Sequence, residues 1–239
     1  MYSFSSNIRF SEVDADKSLT LTSLINYFQD CTIFHSESLH AGFEELEPIH
    51  KAWVLNAWQV IIHRLPKFGE TVQVGTWPYA FTPLSGDRNF ILQNESGETL
   101  VVANSFWVFT DTQTGRPARL APDYVSKYPL EPPYPMEYAS RKIPLPENYE
   151  EEASFSVTKH HLDSNNHVNN AQYICMAEDY LPEHFIVGEF RAEYRKSALL
   201  GDIIYPLVSL TETTCTVVLA DENHKPFTTV QFIRKGNNT

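Results

Sequence analysis

Residues 163–181 read DSNNHVNNAQYICMAEDYL, a polar loop that runs directly into an apolar repeat. The apolar residues recur with the 3.6-residue spacing of a helix that buries one face: Tyr173, Ile174, Ala177, Tyr180 and Leu181. Asn169 or Asn170 is the predicted N-cap, because an amide oxygen accepts hydrogen bonds from the first backbone N–H groups of a helix. Pro182 cannot continue the helix and marks its end.

The same pattern occurs earlier in the chain, in residues 14–32, which read DADKSLTLTSLINYFQDCT. The apolar positions of this second helix are Leu21, Leu24, Ile25, Phe28 and Cys31. Thr20 or Thr22 is its predicted cap. Further along each half, Gly69 and Gly201 each follow a basic residue by five positions and precede an acidic one. Two matches in the same order predict that the chain is an internal duplication.

The remainder of each half is predicted to form strands. Runs rich in β-branched and aromatic residues span 53–64, 70–81, 88–94, 99–109, 153–160, 185–195, 202–212, 214–220 and 226–233. Each half thus combines one helix with several strands. The predicted fold class is α+β, with a long helix packed on an antiparallel sheet in each half.

Prolines mark the boundary between the halves. Seven of them crowd between residues 122 and 146, and proline fits neither a central strand nor a helix interior. We predict an N-terminal domain at 1–121, an extended proline-rich linker at 122–148 and a C-terminal domain at 149–239.

Composition and charge exclude several classes of function. The 239 residues carry 18 Lys+Arg against 30 Asp+Glu, a net charge of −12, which argues against a nucleic-acid binder or an anionic membrane surface as partner. Cys31, Cys175 and Cys215 are too far apart to indicate a disulfide framework or a zinc site. The chain has neither a signal-peptide pattern nor an apolar run long enough to span a membrane, so we expect a cytoplasmic protein.

The polar loop carries the residues that are suited to chemistry. Asp163 supplies an acid, Asn165 an amide and His167 an imidazole, which are groups that orient water and move protons. The same residue types also occur in ordinary turns and helix caps, which is the alternative interpretation. The spacing of the nearby histidines and Asp163 matches no closed zinc pattern, so we predict neither a metal nor another cofactor.

This loop and helix closely resemble the loop-helix motif of the acyl-acyl-carrier-protein (acyl-ACP) thioesterases of plants and bacteria. The resemblance continues in Glu193-Tyr194-Arg195-Lys196, in Glu12-Val-Asp14-Ala-Asp16 and in the segment from Trp53 to Trp77. It covers most of the chain in order.

The resemblance implies two tandem hotdog domains, each a long helix wrapped by an antiparallel sheet. It implies that the N-terminal domain holds much of the acyl pocket and that Asp163, Asn165 and His167 are catalytic. The implied reaction is hydrolysis of the thioester between a fatty acyl chain and the phosphopantetheine of acyl carrier protein, giving free fatty acid and holo-ACP.

One departure from the family affects the expected mechanism. Where the family often has a Glu-Cys pair, this chain has Ser197-Ala198, so we predict direct attack by water rather than a covalent acyl-enzyme. The base would be Asp163, or His167 relayed through it, and backbone N–H groups of Val168 and Asn169 would stabilise the oxyanion. Glu193 shares strand parity with Ser197, which makes both candidate supporting residues; the alternative for Glu193 is a solvent-facing strand position.

Docking of an acidic carrier protein requires local basic residues on an acidic enzyme. The candidates that flank the loop segments are Lys159, Arg191, Arg195 and Lys196. Three other activities stay open: an acyl-CoA thioesterase, a hotdog dehydratase and a non-catalytic acyl-thioester-binding protein. Either a monomer or a homodimer is compatible with two fused domains.

Overall fold

The computed structural model describes residues 1–236 and divides the chain into two compact units. The first unit comprises Met1–Asn56 and Ile62–Tyr138. The second comprises Ala57–Ile61 and the chain from Ala139 onward. A short strand segment from the N-terminal half therefore belongs with the C-terminal unit, which no sequence pattern indicated.

The first unit packs one long helix on an antiparallel sheet. Its strands are β1 (Tyr2–Asn7), β2 (Lys51–Ile62, apart from the segment above), β3 (Thr71–Phe81), β4 (Ser85–Asn94), β5 (Thr99–Asp111) and the short β6 (Arg116–Pro117). Its helices are α1 (Leu21–Ser38), α2 (Phe43–Leu46) and α3 (Pro122–Val125). Antiparallel pairing gives the order β1-β3-β4-β5, and β6 pairs with the end of β5.

The second unit repeats this arrangement. Its elements are β7 (Glu150–Glu151), β8 (Phe155–Ser156), α4 (Asn170–Glu178), β9 (Val187–Tyr194), β10 (Ile203–Leu210), β11 (Thr214–Ala220) and β12 (Pro226–Arg234). The order is β9-β12-β11-β10-β7, all antiparallel, with Ala57–Ile61 of β2 paired to the free side of β9. Strand β8 pairs with the start of β10.

Each of the two main helices, α1 and α4, begins directly after a residue that the sequence predicts as its N-cap. The Thr20 hydroxyl accepts from the Ser23 N–H at 3.1 Å, and the Asn169 amide oxygen accepts from the Ala171 N–H at 2.8 Å. The apolar face of α1 lies on the sheet, where Phe28 and Phe90 are fully buried with ring centroids 5.0 Å apart. Burial of each phenyl ring contributes about 1.5–3 kcal/mol, so packing rather than helix propensity holds α1 in place.

The proline-rich segment is more ordered than an extended linker. Residues Pro122–Val125 form a helical turn, because proline at the first helical position lacks only an N–H that would have no partner there. In the first unit, the buried Asn89 amide oxygen accepts from the Tyr134 N–H and the Tyr138 hydroxyl, both at 3.0 Å. In the second unit, the Ala139 N–H donates to Gln59 Oε1 at 2.9 Å. Buried side chains on the strands thus fix the course of this segment.

Residues 153–160 do not form the long strand that their composition predicts. The segment contains only the short β8 and then a 3₁₀ turn at Lys159–His161. The Thr158 N–H donates to His161 Nδ1 at 3.0 Å, so a local side chain satisfies a backbone group that a strand would have paired with its neighbour.

Between residues 1 and 236, no helix has both the length and the hydropathy to cross a lipid bilayer.

Candidate active site

The loop before α4 is closed by the carboxylate of Asp163. Asp163 Oδ1 accepts from the Asn165 N–H at 2.8 Å and from the His167 N–H at 3.2 Å. The Asp163 N–H donates to the His167 carbonyl at 2.8 Å, and the Asn166 N–H donates to the Asp163 carbonyl at 3.1 Å. Asn166 has a φ of 60°, a left-handed conformation that asparagine tolerates better than most residues. These bonds fix the backbone from which Asn165 and His167 project.

The loop of the first unit has the same hydrogen bonds. Asp14 Oδ1 accepts from the Asp16 and Ser18 N–H groups, both at 2.9 Å. The Asp14 N–H donates to the Ser18 carbonyl at 2.9 Å, and Lys17, at a φ of 60°, donates its N–H to the Asp14 carbonyl at 3.0 Å. The structure therefore confirms the alignment of the two copies. A carboxylate closes this loop even where no imidazole follows it.

The two loops differ in what their side chains do. In the first unit, Lys67 Nζ donates to Ser18 Oγ at 2.7 Å and to the Asp16 carbonyl at 3.1 Å. Lys67 forms a backbone bridge with Ser18, and the corresponding bridge in the second unit joins His167 to Leu199. The side chain of Leu199, unlike that of Lys67, has no hydrogen-bond donor for the loop. Among the described residues the exposed side chains of Asn165 and His167 accordingly make no hydrogen bond to protein and are available to a ligand.

The backbone N–H groups of the predicted oxyanion site, Val168 and Asn169, donate to other parts of the chain. The Val168 N–H donates to the Ala198 carbonyl at 3.0 Å, and the Asn169 N–H donates to the His161 carbonyl at 2.9 Å. Both groups are already satisfied by bonds that hold the loop to neighbouring segments. They cannot stabilise a developing negative charge on a substrate without breaking those bonds.

Glu193 is buried, not solvent-facing, and none of its hydrogen-bond partners belongs to the loop. Its carboxylate accepts from Arg195 Nε at 3.0 Å, from Arg195 Nη2 at 3.2 Å and from the Ile143 N–H at 2.9 Å. Ser197 is exposed. Strand β9 ends at Tyr194, so the alternation that placed Glu193 and Ser197 on one face does not extend to position 197.

Tyr173 positions the loop, a role that the sequence did not reveal. Its hydroxyl accepts from the Ala198 N–H at 2.8 Å, and the Ala198 carbonyl in turn accepts from Val168. Burial is the main cause that raises the pKa of Tyr173 to about 12, so the hydroxyl stays protonated. The only sequence signal was the helical spacing of Tyr173, which predicted burial but not this bond.

Three of the four candidate docking cations have partners inside the second unit. Arg191 donates to Gln231 at 3.3 Å and to the carbonyls of Ser140 and Lys142, and Arg195 pairs with Glu193. Lys196 lies 3.9 Å from Asp221 and above the Phe227 ring, with 61% of its side chain exposed. Lys159 is exposed in the 3₁₀ turn before the loop.

A helix on an antiparallel sheet, present twice in one chain, is the tandem hotdog arrangement. The family model described as the acyl-ACP thioesterase N-terminal domain matches residues 1–128, and that of the C-terminal domain matches residues 146–228. This chain belongs to the acyl-ACP thioesterase family, which confirms the resemblance found in the sequence.

Curated relatives come from plants. The palmitoyl-acyl carrier protein thioesterase, chloroplastic, of Gossypium hirsutum is 28% identical over 232 residues, which cover 89% of this chain and 56% of the relative. The oleoyl-acyl carrier protein thioesterase 1, chloroplastic, of Arabidopsis thaliana is 26% identical over 234 residues, covering 88% and 63%. The chain thus spans little more than half the length of these relatives.

Solved structures confirm the predicted α+β hotdog fold. An acyl-ACP thioesterase from Bacteroides thetaiotaomicron VPI-5482 superposes with a TM-score of 0.89 at 23% identity, covering 98% of this chain and 97% of the other. A 12:0-ACP thioesterase from Umbellularia californica gives a TM-score of 0.86 at 20% identity, covering 98% and 96%.

Proposed function

We propose that this chain hydrolyses fatty acyl-ACP thioesters to free fatty acid and holo-ACP. The observation that carries the proposal is the contrast between the two loops. They share the four hydrogen bonds around the closing aspartate, yet only the second presents an unengaged amide, Asn165, and an unengaged imidazole, His167. Membership of the acyl-ACP thioesterase family supports the same substrate class.

In the mechanism we propose, His167 is the general base and water is the nucleophile. The imidazole takes a proton from water as the water oxygen attacks the thioester carbonyl. The tetrahedral intermediate then collapses, the C–S bond breaks, and the thiolate of the phosphopantetheine receives the proton from His167. The Asn165 amide orients the attacking water or the carbonyl oxygen. No cofactor takes part.

Asp163 has a different role in this mechanism. Its Oδ1 atom is committed to two backbone N–H groups, as that of Asp14 is in the first unit. We therefore assign Asp163 to holding the loop in shape, and the base function to His167 alone. Glu193 and Ser197 keep no catalytic part in this proposal, since the partners of Glu193 lie outside the loop.

The two halves of the chain divide the work in this proposal. The N-terminal domain, 1–121, receives the acyl chain, and the C-terminal domain, 149–239, carries the chemistry. The support is the side chain of Lys67, which occupies the first loop and leaves it without a group that can act as a base. The segment 122–148 connects the two functions.

The proposed partner is an acidic acyl carrier protein, and the proposed docking residues are reduced to Lys159 and Lys196. Both side chains are exposed; Lys159 lies four residues before Asp163, and Lys196 lies two residues before Ala198, which is bonded to the loop. Arg191 and Arg195 already bind carbonyl or carboxylate groups. A cytoplasmic location and a monomeric or homodimeric state complete the proposal. Cell fractionation and sedimentation test these two points directly.

The test is a thiol-release assay on matched panels of acyl-ACP and acyl-CoA substrates, with His167→Ala and the matched control Ser18→Ala. Ser18 occupies the position of His167 in the first loop. We expect His167→Ala to lower kcat at least a hundredfold and Ser18→Ala to leave it within threefold, since loss of a general base costs roughly 10²–10⁴ in rate.

Each alternative has its own outcome in this assay. A near-wild-type rate in a folded His167→Ala variant contradicts the mechanism. A higher kcat/KM for acyl-CoA than for acyl-ACP identifies a CoA thioesterase instead. Binding of acyl thioesters without thiol release over hours identifies a binding protein.

A further inference from the structure

The first unit buries an arginine beneath its long helix. Arg88, on β4, is 6% exposed. Its Nη1 atom lies 2.9 Å from His35 Nδ1 of α1 and donates to Thr76 Oγ1 of β3 at 3.2 Å. The guanidinium carbon is 5.9 Å from the centre of the Tyr128 ring. Helix, sheet and the segment after α3 therefore enclose this side chain.

No negative charge accompanies this guanidinium. Burial is the main cause that lowers the pKa of His35 to about 3, so the imidazole is neutral and its Nδ1 accepts from Arg88. Burial also raises the pKa of the adjacent Cys31 thiol to about 12 and lowers that of Arg88 to about 10. At neutral pH the arginine is charged and these two neighbours are not. In the described part of the chain, no carboxylate lies within ion-pair distance of it.

Most of the donors of Arg88 are unused. A guanidinium has five N–H groups, and only those on Nη1 have a side-chain partner within residues 1–236. A buried cation without a counter-charge is costly, and the last turn of α1, which contains His35, offers only about half a compensating charge. Two less buried arginines have carboxylate partners: Arg64 pairs with two glutamates and Arg195 with one.

Aromatic side chains lie close to the site. Phe90 lies two residues from Arg88 on the same strand, so both side chains share a face, and Phe28 of α1 packs on Phe90. The Tyr2 ring stacks on His35 with centroids 5.5 Å apart. A ligand that satisfies this environment needs an oxygen acceptor for the guanidinium and an aliphatic portion for the aromatic walls.

We propose that Arg88 binds an oxygen acceptor carried on an aliphatic chain inside the first unit. The acceptor is either the carboxylate of a free fatty acid or an oxygen group on the distal part of an acyl chain. The aliphatic character of the ligand rests on the proposed thioesterase function. The guanidinium supplies two parallel N–H groups, on Nε and Nη2, which match a carboxylate or a pair of lone pairs on one oxygen.

The first experiment measures binding without turnover. Dodecanoate is titrated by calorimetry into the wild type, Arg88→Met and the control Arg64→Met, which removes an ion-paired surface arginine of the same unit. We expect Arg88→Met to raise Kd at least tenfold and Arg64→Met to change it less than twofold. Methionine fills a similar volume, and replacing a buried charge by an apolar side chain is often neutral for stability.

The second experiment distinguishes the two sources of the oxygen. The kcat/KM values for 12-hydroxydodecanoyl and dodecanoyl thioesters are compared in the wild type and in Arg88→Met. A wild-type preference for the hydroxylated chain that disappears in the variant identifies a distal oxygen on the substrate. A change in dodecanoate binding with no such preference identifies the free acid.

Two results would overturn the proposal. One is a folded Arg88→Met variant with unchanged Kd for dodecanoate and unchanged substrate preference. The other is a wild type that neither binds dodecanoate nor prefers the hydroxylated chain. If Arg88→Met does not fold, Arg88→Lys replaces it. Lysine keeps the charge but not the paired donors, so at least a threefold rise in Kd is expected and no rise refutes the idea. A wild type that hydrolyses no thioester refutes the proposed function, whereas the calorimetric result still decides the role of Arg88.

Discussion

Two substitutions of Asp163 distinguish its two possible roles, general base or residue that holds the loop in shape. Asp163→Asn keeps an oxygen that can accept from the Asn165 and His167 N–H groups but removes the ability to take a proton. Asp163→Ala removes both. If Asp163 only shapes the loop, the asparagine variant retains most of the activity and the alanine variant does not. If Asp163 is the base, the two variants are equally inactive.

The two backbone bonds set the size of the expected effect. Hydrogen bonds to a charged acceptor contribute about 1.5–3 kcal/mol each and those to a neutral one about 0.5–1.5 kcal/mol, with the lower ends applying to a loop in contact with solvent. Loss of both bonds in Asp163→Ala then destabilises the active loop conformation by about 2–3 kcal/mol. This free-energy loss corresponds to roughly a 30- to 150-fold fall in kcat. Asp163→Asn loses about 1 kcal/mol, or roughly a fivefold fall.

The assay is thiol release from acyl-ACP under single-turnover conditions, so that product release does not mask the chemical step. Asp14→Asn and Asp14→Ala are the matched controls, since Asp14 makes the same bonds in the first unit. They are expected to lower the Tm by about 2–4 °C per kcal/mol lost, as the Asp163 variants do, but to leave kcat within threefold. Equal activity in Asp163→Asn and Asp163→Ala would refute the assignment of Asp163 as a loop-holding residue.

Two further predictions concern docking and the support of the loop. Lys159→Glu and Lys196→Glu should each raise KM for acyl-ACP at least fivefold and leave KM for a short free thioester unchanged, because charge reversal repels only the acidic carrier. The exposed Arg116 of the first unit is the control, and an equal rise in Arg116→Glu would argue against a docking site near the loop. Tyr173→Phe should lower both Tm and kcat, because it leaves the buried Ala198 N–H without an acceptor at a cost of about 1–3 kcal/mol. An unchanged Tm by thermal unfolding would show that the bond is dispensable.

Local signals in the sequence were enough to predict the helices and most strands. Helix α1 begins directly after Thr20 and α4 directly after Asn169, because capping chemistry and helical spacing are both read from neighbouring residues. Strand β1, in contrast, was missed. Its side chains are mostly half-exposed, and it is stabilised by pairing with β3, in a register that runs from Tyr2 opposite Thr76 to Asn7 opposite Thr71.

The candidate site was predicted in its residues but not in its geometry. The amide and imidazole of Asn165 and His167 are exposed as expected, since a polar loop before a helix projects its side chains outward. The sequence could not reveal that the Ala198 carbonyl accepts a hydrogen bond from the Val168 N–H, because that bond depends on how distant segments pack. Burial of Arg88 escaped notice for the same reason: a lone arginine in a strand pattern is normally a surface residue.

The paired loops bear on how this family can diversify. In the second loop the bonds that shape the chain come from Asp163 and the backbone, and the side chains of Asn165 and His167 make none of them. Substitution of these two side chains therefore removes none of the hydrogen bonds that shape the second loop. A gene duplication with this property supplies a spare loop on which new chemistry can arise while the original copy continues to work.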